Sequence, residues 1–300
     1  MRDPLRYAAI TPARNEAENL RRLGACLIRQ ELRPRLWVVV DDGSTDESVE
    51  VVKELAAEHA WIVSIASPGV SARSGPLHDG RVRGRDVIAF NAGLEYTRAH
   101  LGSTDVVLKL DADISFEDRF FTRLLEEFVA DEKLGITGAT CYELEDGEWI
   151  SQHVTGGTVR GATRAYRWAC LPDVMPLEEQ LGWDAIDEVK ARLAGWSTRS
   201  IADLPFFHHR PVGSRDGARR SWESQGTAAY FIGYRPSYLV LRSLFQSRRD
   251  PRALAMILGY LREVRARAPQ CSDTRVRDYL RDQQRLMRLT FRAREALGRA

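Results

Sequence analysis

An apolar run, Leu36–Val40, ends abruptly in the polar segment Asp41–Asp46, and this feature constrains the fold of the chain more than any other. A strand that is apolar on both faces is typical of the centre of a parallel sheet with helices on either side. Ser44 or Thr45 can cap the helix that follows, so the segment predicts a strand–turn–helix unit. The chain is therefore constrained to an α/β fold in which acidic residues gather where a central strand ends.

Short β-rich runs alternate with segments of helical period along the first half of the chain. The other predicted strands are Tyr7–Thr11, Trp61–Ser67, Val106–Leu110 and Gly135–Tyr142. The predicted helices include Glu16–Gln30, Asp86–His100, Asp118–Asp131 and Gly182–Gly195, and Pro68–Arg85 is predicted to be a loop. This alternation is typical of βαβ units and predicts a mostly parallel sheet flanked by helices.

The basic residues are concentrated at the end of the chain. Residues 211–300 contain 19 arginines, no lysine and 8 acidic residues, which gives a formal charge of +11. Residues 1–210 contain 25 basic and 34 acidic residues, a charge of −9, so the whole chain carries only +2. This balance argues against nucleic-acid binding. The asymmetry predicts an α/β domain over residues 1–212 and an Arg-rich helical region over residues 213–300.

Cysteine spacing and the start of the chain bear on its compartment. The four cysteines are far apart and show no metal-ligand spacing, so we expect reduced, mostly packed thiols. We recognise no secretory signal, and the most apolar stretch, Ser237–Phe245, is interrupted by Arg242. We expect a cytoplasmic protein that could lie against the inner face of a membrane.

Acidic residues at strand ends are the chemical feature that distinguishes this chain from other α/β proteins. It has no G-x-G-x-x-G, no G-x-x-x-x-G-K, no G-x-S-x-G and no H-E-x-x-H. Ligands of open parallel sheets bind beyond the carboxyl ends of the strands, where Asp41–Asp42 and Asp111–Asp113 are predicted to lie. Asp111 and Asp113 can present oxygen atoms to Mg²⁺ or Mn²⁺, which would bridge a diphosphate. The alternative is that Asp111–Asp113 is only a polar turn.

Four segments carry a family resemblance. In order, TPARNEAENL, VVVDDGSTDES, VLKLDADI and GWDAIDEVKARLAGW resemble the inverting nucleotide-sugar glycosyltransferases of family 2, which have a GT-A fold. The resemblance covers roughly residues 5 to 212. It implies a metal-dependent enzyme that moves a sugar from a nucleoside diphosphate sugar to an acceptor hydroxyl, in the synthesis of cell-envelope polysaccharide or of a lipid-linked glycan.

The resemblance also implies which residues bind the donor. They are Thr11, Pro12, Glu16, Asp41, Asp42 and Asp111. Glu16 would accept a hydrogen bond from a ribose hydroxyl, and Asp42 or its neighbour Asp41 would accept one from the base or ribose, because carboxylates offer only acceptors. Asp111 would contact the sugar or ribose. The alternative for Asp41–Asp46 is a helix-capping turn, and both interpretations can hold together.

In the family, the second aspartate of the D-x-D motif binds the metal, and here that residue is Asp113. A third ligand, often histidine, comes from a later loop. His208 and His209 end a predicted strand, where alternation would point only one of them toward the site, and we prefer His209. The alternative is that both are ordinary surface or packed histidines. The arginine of the family's A-R-N segment is missing here, so Arg85 or Lys109 is expected to contact the diphosphate.

An inverting transfer needs a base that takes the proton of the acceptor hydroxyl. In the family this base is a carboxylate at the start of a helix that ends in glycine, and Asp184 lies eleven residues before Gly195. The family commonly has Glu-Asp at this point, whereas this chain has Trp183-Asp184. Asp187 and Glu188 are therefore rivals of Asp184, and a plain solvated helix face is a further alternative.

The acceptor is expected to be a saccharide or a lipid-linked glycan. Tyr166, Arg167 and Trp168 are predicted to line its cleft, and Trp168 and Trp183 are either sugar platforms or core residues. The basic C-terminal region is either a set of solvated helix faces or a peripheral membrane contact, and nucleic acid is the least favoured partner.

Two functions from other classes compete with sugar transfer. A sugar-1-phosphate nucleotidyltransferase would need a Gly-rich basic loop after the first strand, and P-A-R-N-E contains no glycine. A non-catalytic nucleotide-sugar binding module would bind the donor without releasing the nucleoside diphosphate.

Overall fold

A computed structural model describes residues 5–69, 84–152, 158–210 and 217–285 of the chain. These residues form two compact units. The first unit contains the described residues up to 69, residues 85–177 and residues 191–210, again as far as they are described. The second unit contains residues 84, 178–190 and 217–285. Most of the predicted loop Pro68–Arg85 and the ends of the predicted region 213–300 lie outside the described residues.

Nine strands of the described residues form one sheet in the first unit. They are β1 (Tyr7–Ala13), β2 (Leu36–Asp41), β3 (Ile62–Ala66), β4 (Val106–Leu110), β5 (Ile114–Ser115), β6 (Leu134–Glu145), β7 (Glu148–Ser151), β8 (Thr163–Arg167) and β9 (Ser197–His208). Their order is β3-β2-β1-β4-β8-β6-β9-β5, and β7 pairs with β6.

The first half of the sheet is parallel and the second half is mixed. β3, β2, β1 and β4 pair in parallel. β8 runs antiparallel to β4 and β6, whereas β6 and β9 pair in parallel. The α/β class with a helix-flanked sheet is confirmed. The antiparallel pairs lie in the part of the sheet where few strands were predicted. Because β1, β2 and β4 are parallel, Pro12, Asp41 and Asp111 come to the same edge of the sheet.

Helices pack on this sheet because both of its faces are apolar. The helices of the first unit are α1 (Ala17–Ile28), α2 (Ser48–Glu58), α3 (Arg85–Leu101), α4 (Phe120–Ala130) and α5 (Leu171–Val174), and most of α6 (Trp183–Leu193) belongs to the second unit. Leu20, Leu23 and Leu27 of α1 are fully buried in the main core, where they recur at helical spacing. The predicted cap of α2 by Ser44 or Thr45 is wrong, since the helix begins at Ser48 without a side-chain cap.

The second unit is helical. It contains α7 (Ala218–Phe231), α8 (Pro236–Gln246), α9 (Ala255–Ala266) and α10 (Thr274–Gln283). α7 and α9 pack with their backbones in contact at Gly226 and Gly259. A Cβ atom added to Gly226 would overlap the carbonyl oxygen of Met256, and one added to Gly259 would overlap that of Glu223. Only glycine permits so close an approach.

The state of the cysteines and the apolar content of the helices can be compared with what the sequence predicts. Cys26, Cys141, Cys170 and Cys271 are free and buried, as predicted. Among the helices of the described residues, none combines the length and the apolar content that crossing a bilayer requires.

Candidate active site

The loops that follow β1 and β2 are hydrogen-bonded to each other. Asn15 has a left-handed backbone conformation (φ 54°), and its Oδ1 accepts from the N–H of Thr45 at 2.7 Å. The Asp46 carboxylate accepts from the N–H of Ala17 at 3.2 Å and from that of Ser48 at 3.0 Å. These bonds fix the two loops that carry the predicted nucleotide contacts.

Glu16 is buried beside the start of α1. Its carboxylate accepts two parallel hydrogen bonds from the Arg210 guanidinium, at 2.9 and 2.7 Å, and a third from Asn19 Nδ2 at 2.6 Å. A bidentate pair of this kind fixes the plane of the carboxylate as well as its position. Glu16 is therefore held rigidly where β1 meets α1.

Thr11 and Pro12 end β1 in different surroundings. Thr11 is fully buried, and its Oγ1 accepts a hydrogen bond from Trp37 Nε1 at 3.0 Å. Losing that partner would leave a buried indole N–H unsatisfied, at a cost of about 1–3 kcal/mol. Pro12 is partly exposed and lies opposite Val40 in the sheet. The Thr11 hydroxyl thus takes part in the core, and Pro12 is the more accessible of the two.

Asp41 and Asp42 use their carboxylates differently. Asp41 accepts from the N–H of Gly43 at 3.2 Å and from that of Ser44 at 3.1 Å, which closes a tight turn. Asp42 is buried, and its Oδ2 lies 3.8 Å from Nη1 of Arg85. The turn therefore occupies Asp41, while Asp42 lies beside a cationic group.

Lys109 holds the first aspartate of the D-x-D motif. Lys109 is the penultimate residue of the buried strand β4. Its Nζ donates to Asp111 Oδ1 at 2.7 Å and lies 3.5 Å from Asp86 Oδ2. Burial would lower the pKa of the Lys109 ammonium, but Asp111 and Asp86 outweigh burial and raise that pKa. Lys109 is almost fully buried and orients Asp111, whereas the sequence predicted it as a diphosphate contact.

Asp113 lies between two cationic groups. Its Oδ1 is 3.2 Å from His208 Nε2, and its Oδ2 is 3.3 Å from Arg210 Nη1. Burial would raise the pKa of Asp113, but His208 and Arg210 outweigh burial and lower that pKa. Because Arg210 also binds Glu16, one guanidinium links the loop after β1 to the D-x-D motif.

His208 ends β9 and His209 follows it, and their rings lie in different places. His208 Nδ1 lies 3.5 Å from Glu143 Oε1, opposite its contact with Asp113. Burial alone would lower the pKa of the His208 imidazole, but Asp113, Cys141 and Glu143 together raise it to about 11. The His209 ring shares a hydrogen bond of 2.7 Å with Ser115 Oγ and is exposed. The preference for His209 is therefore corrected, because alternation along β9 turns His208 toward the D-x-D motif.

The chemistry of this donor set fits a divalent cation. Asp111, Asp113 and His208 each offer one ligand atom, and these atoms lie within 4.8 Å of one another. Carboxylate oxygens with one imidazole nitrogen suit Mn²⁺ and also Mg²⁺. His208 would have to give up its proton to serve as a ligand. Cys141, Glu143 and His208 form a second group of the same size, which shares the imidazole.

The predicted acceptor cleft is not formed as expected. Tyr166 is fully buried, and the Arg167 guanidinium donates to the backbone carbonyls of Phe128, Asp131 and Leu134 at 2.7–2.9 Å. The prediction that Tyr166 and Arg167 line a cleft is wrong, because β8 lies inside the sheet and both side chains serve packing. Trp168 is partly exposed, with the Arg98 guanidinium 6.0 Å from its ring centre.

The candidate bases lie on α6, in the part of that helix that belongs to the second unit. Asp184 is in its first turn and is partly exposed. Asp187 and Glu188 are only 1% and 4% exposed, and Trp183 is 6% exposed. Exposure therefore favours Asp184 over its two rivals, and it favours a packing role for Trp183.

Sequence analysis missed Arg210 and Glu143. Arg210 directly follows the two histidines, so its position in the sequence was a usable signal. Glu143 gave no local signal, because it reaches His208 only through the pairing of β6 with β9, in which the two residues lie opposite each other.

Comparisons with known proteins identify a family and a fold. Residues 8–169 match the family described as Glycosyl transferase family 2. A comparison with curated proteins found no match. The mannosyltransferase PcManGT from Pyrobaculum calidifontis, solved with GDP-Man and Mn²⁺, is similar at 15% identity and a TM-score of 0.56, over 98% of this chain and 85% of that chain.

Two further solved structures show the same fold. GalNAc-T7 with UDP, GalNAc and Mn²⁺ is similar at 12% identity and a TM-score of 0.58, over 84% of this chain and 52% of that chain. S. aureus TarS 1-349 in complex with UDP is similar at 15% identity and a TM-score of 0.50, over 81% of this chain and 71% of that chain. At such identities the likeness shows the fold.

Proposed function

The chain belongs to glycosyl transferase family 2, and from that premise we propose that it moves a sugar from a nucleoside diphosphate sugar to an acceptor hydroxyl, with inversion and with Mg²⁺ or Mn²⁺. The observation that carries this proposal is the convergence of Asp111, Asp113 and His208 at one edge of the sheet. Two structures of similar fold were solved with a nucleotide or nucleotide sugar and Mn²⁺, which supports the proposal. A saccharide or lipid-linked acceptor in cell-envelope polysaccharide synthesis follows from the resemblance alone.

Donor recognition would depend on carboxylates that are already positioned. Glu16 is oriented by Arg210, and its carboxylate would accept a hydrogen bond from a ribose hydroxyl. Asp42 would accept from the base or the ribose. Arg85, beside Asp42, is the better candidate for a diphosphate contact, since Lys109 is committed to Asp111.

Asp111, Asp113 and His208 would hold the cation. When bound, it would neutralise the negative charge that builds on the leaving nucleoside diphosphate. Lys109 and Arg210 hold the two aspartates in position. This preorganisation means that little reorganisation of the site is needed as charge develops.

Asp184 is proposed to take the proton of the acceptor hydroxyl. The acceptor oxygen would form a bond to the anomeric carbon as the bond to the diphosphate oxygen breaks, and the hydroxyl proton would pass to the Asp184 carboxylate. The electron pair of the broken bond leaves with the nucleoside diphosphate. The partial exposure of Asp184 supports this role, because the base must reach the acceptor.

Asp113→Ala tests the proposal most directly. Thermal-shift screening against UDP, GDP, dTDP and CDP sugars with Mn²⁺ would first identify the donor. We then expect the variant to lose at least about a hundredfold in turnover and to lose metal-dependent nucleotide binding. Asp203→Ala is the matched control, because Asp203 is 80% exposed and pairs only with Arg123 at the surface in the described part of the chain. Unchanged turnover in Asp113→Ala would refute the assignment, and donor binding without released nucleoside diphosphate would indicate a non-catalytic module.

A further inference from the structure

Helices α8 and α9 of the second unit both carry apolar side chains at the surface. On α8 these are Val240, Leu241, Leu244 and Phe245, which are 41–52% exposed. On α9 and the turn before it they are Leu254, Leu258, Leu261 and Val264, which are 44–54% exposed. We call these eight side chains the α8–α9 face. Eight large apolar side chains on two neighbouring helices exceed the scattered exposure that is normal for a protein surface.

These side chains are not part of the core of the second unit. α8 packs inward through Leu239, and α9 packs inward through Met256 and Tyr260, so each helix already has a buried face. The exposed residues recur at spacings of three and four, which places them along a second stripe of each helix. Packing within the described chain therefore does not account for the α8–α9 face.

Arginines flank this face. They are Arg248, Arg249, Arg252, Arg262, Arg265 and Arg267, all of them exposed. Asp250 pairs with Arg252 at 2.7 Å, and Glu263 lies 3.3 Å from Arg262. Within the residues that the structure describes, no ion pair involves Arg248, Arg249, Arg265 or Arg267. The surroundings of the apolar stripes thus carry uncompensated positive charge.

We propose that the α8–α9 face docks onto the anionic surface of a lipid bilayer. Leucine and phenylalanine side chains at this density would enter the boundary between headgroups and acyl chains, while the flanking arginines would contact lipid phosphates. A second copy of the chain fits less well, because two such faces brought together would oppose arginine to arginine. The proposal does not depend on the chemistry of the donor site.

Vesicle flotation tests the proposal with the full chain. We expect the protein to float with vesicles of phosphatidylcholine and phosphatidylglycerol, to bind phosphatidylcholine vesicles at least tenfold more weakly, and to be released from the anionic vesicles by 1 M NaCl, because salt screens surface charge. Equal binding to both vesicle types, or no binding to either, would overturn the proposal.

Two pairs of variants separate the apolar and the charged contributions. Leu244→Ser with Leu258→Ser should weaken partitioning at least tenfold, whereas the control Val129→Ser with Leu193→Ser, at residues 49% and 45% exposed, should not change it. Arg248→Gln with Arg249→Gln should weaken binding about 25-fold, because each arginine near an anionic surface contributes a factor of about five. The control is Arg29→Gln with Arg119→Gln, which are surface arginines of the first unit.

Folding and self-association are measured on the same variants. Circular dichroism and donor turnover should match the unmodified protein, since none of these residues belongs to the proposed active site. If light scattering instead shows a dimer that the Leu244→Ser and Leu258→Ser pair dissociates, a second copy covers the face and the lipid proposal is wrong. It is equally wrong if folded variants float as well as the unmodified chain.

Discussion

His208 and His209 are adjacent in the sequence and differ in chemistry because their rings contact different partners. His208 lies between Asp113 and Glu143, and His209 lies against Ser115. The ring of His208 is mostly buried, so its orientation is fixed by packing and by two carboxylates. Of the two histidines, only His208 therefore presents its ring to the D-x-D motif.

We predict that His208→Ala weakens Mn²⁺-dependent nucleotide binding about tenfold to a hundredfold, because it removes one of three converging ligand atoms. His209→Ala should change this binding by no more than about threefold, since its ring contacts a serine hydroxyl at the surface. Calorimetric titration of each variant with nucleotide, with and without Mn²⁺, measures the difference. The reverse order of effects would show that the site uses His209.

At this scale, sequence analysis predicted which residue types converge but not how they are paired. Asp111 and Asp113 were predictable because both follow a buried strand. The partners of these aspartates were not, because Arg210 is almost a hundred residues away and reaches Asp113 only through the pairing of β5 with β9. Lys109 was recognised as important, yet its burial and its contacts with Asp111 and with Asp86 of α3 could not be predicted from the sequence.

Loops between elements, and not the elements themselves, set the geometry of the nucleotide side of the site. Asp46 joins the loop after β2 to the start of α1 through its bonds to Ser48 and Ala17. Desolvation would raise the pKa of Asp46, but these hydrogen bonds outweigh it and lower that pKa. The ionised carboxylate is thus the form that the folded state prefers.

We predict that Asp46→Ala lowers the free energy of unfolding by about 0.5–1 kcal/mol at pH 7, the low end for losing such a bond because Asp46 is exposed. Since the folded state lowers the pKa, this contribution is present above the unfolded value of about 3.9 and is lost as the pH falls through the lower folded value. Urea unfolding of the variant and the unmodified protein at pH 7 and at about pH 3 measures the contribution of Asp46 and its loss at low pH. Glu47→Ala, at a neighbouring residue that is 80% exposed, is the control and should have no effect at either pH.

The close crossing of α7 and α9 depends on the glycines at their contact, Gly226 and Gly259. Alanine normally stabilises a helix interior by about 1 kcal/mol relative to glycine. At Gly226 or Gly259, however, the new Cβ would overlap a backbone carbonyl that cannot move without separating the helices. We therefore expect each alanine variant to lose about 1–3 kcal/mol in stability.

Gly24→Ala is the matched comparison for these variants. A Cβ at Gly24 would lie 2.7 Å from a methyl group of Leu55, and a side chain of this kind can shift. In thermal unfolding, the melting temperature of Gly24→Ala should be close to that of the unmodified protein, and the melting temperatures of Gly226→Ala and Gly259→Ala should be well below it. Equal melting temperatures for all three would contradict the close crossing.

Elements with a clean hydrophobic period were predictable, and the others were not. β1, β2 and β4 are apolar on both faces, so the parallel half of the sheet could be predicted from the sequence. β8 reads Thr-Arg-Ala-Tyr-Arg, and Arg164 within it is fully buried. A buried arginine breaks the pattern that marks a central strand, so β8 and the antiparallel pairs around it had no local signal.

At the scale of the whole molecule, the candidate base and the candidate donor site belong to different compact units. Residues 178–190, which include Asp184, cluster with the C-terminal helices. Sequence analysis predicted a division at 212/213, where the composition changes. Residues 178–190 have no compositional mark, so their membership of the second unit could not be predicted.

Asp184→Asn should separate chemistry from donor binding. We expect turnover to fall about 10²- to 10⁴-fold with no change in the dissociation constant of the nucleotide, because the change removes only a proton acceptor. Asp187→Asn and Glu188→Gln alter buried side chains, so we expect them to lower stability while the folded fraction keeps its turnover. Steady-state kinetics, calorimetry and urea unfolding of the three variants provide the test. If Asp187→Asn or Glu188→Gln alone abolishes turnover in a folded protein, Asp184 is not the base.

The assignment of residues 178–190 to the helical unit has an evolutionary consequence. If the base lies there, substitutions in the C-terminal helices can diversify the acceptors that the enzyme accepts, while the nucleotide pocket remains under separate selection. Descendants of this chain could then share one activated sugar and differ in what they decorate with it.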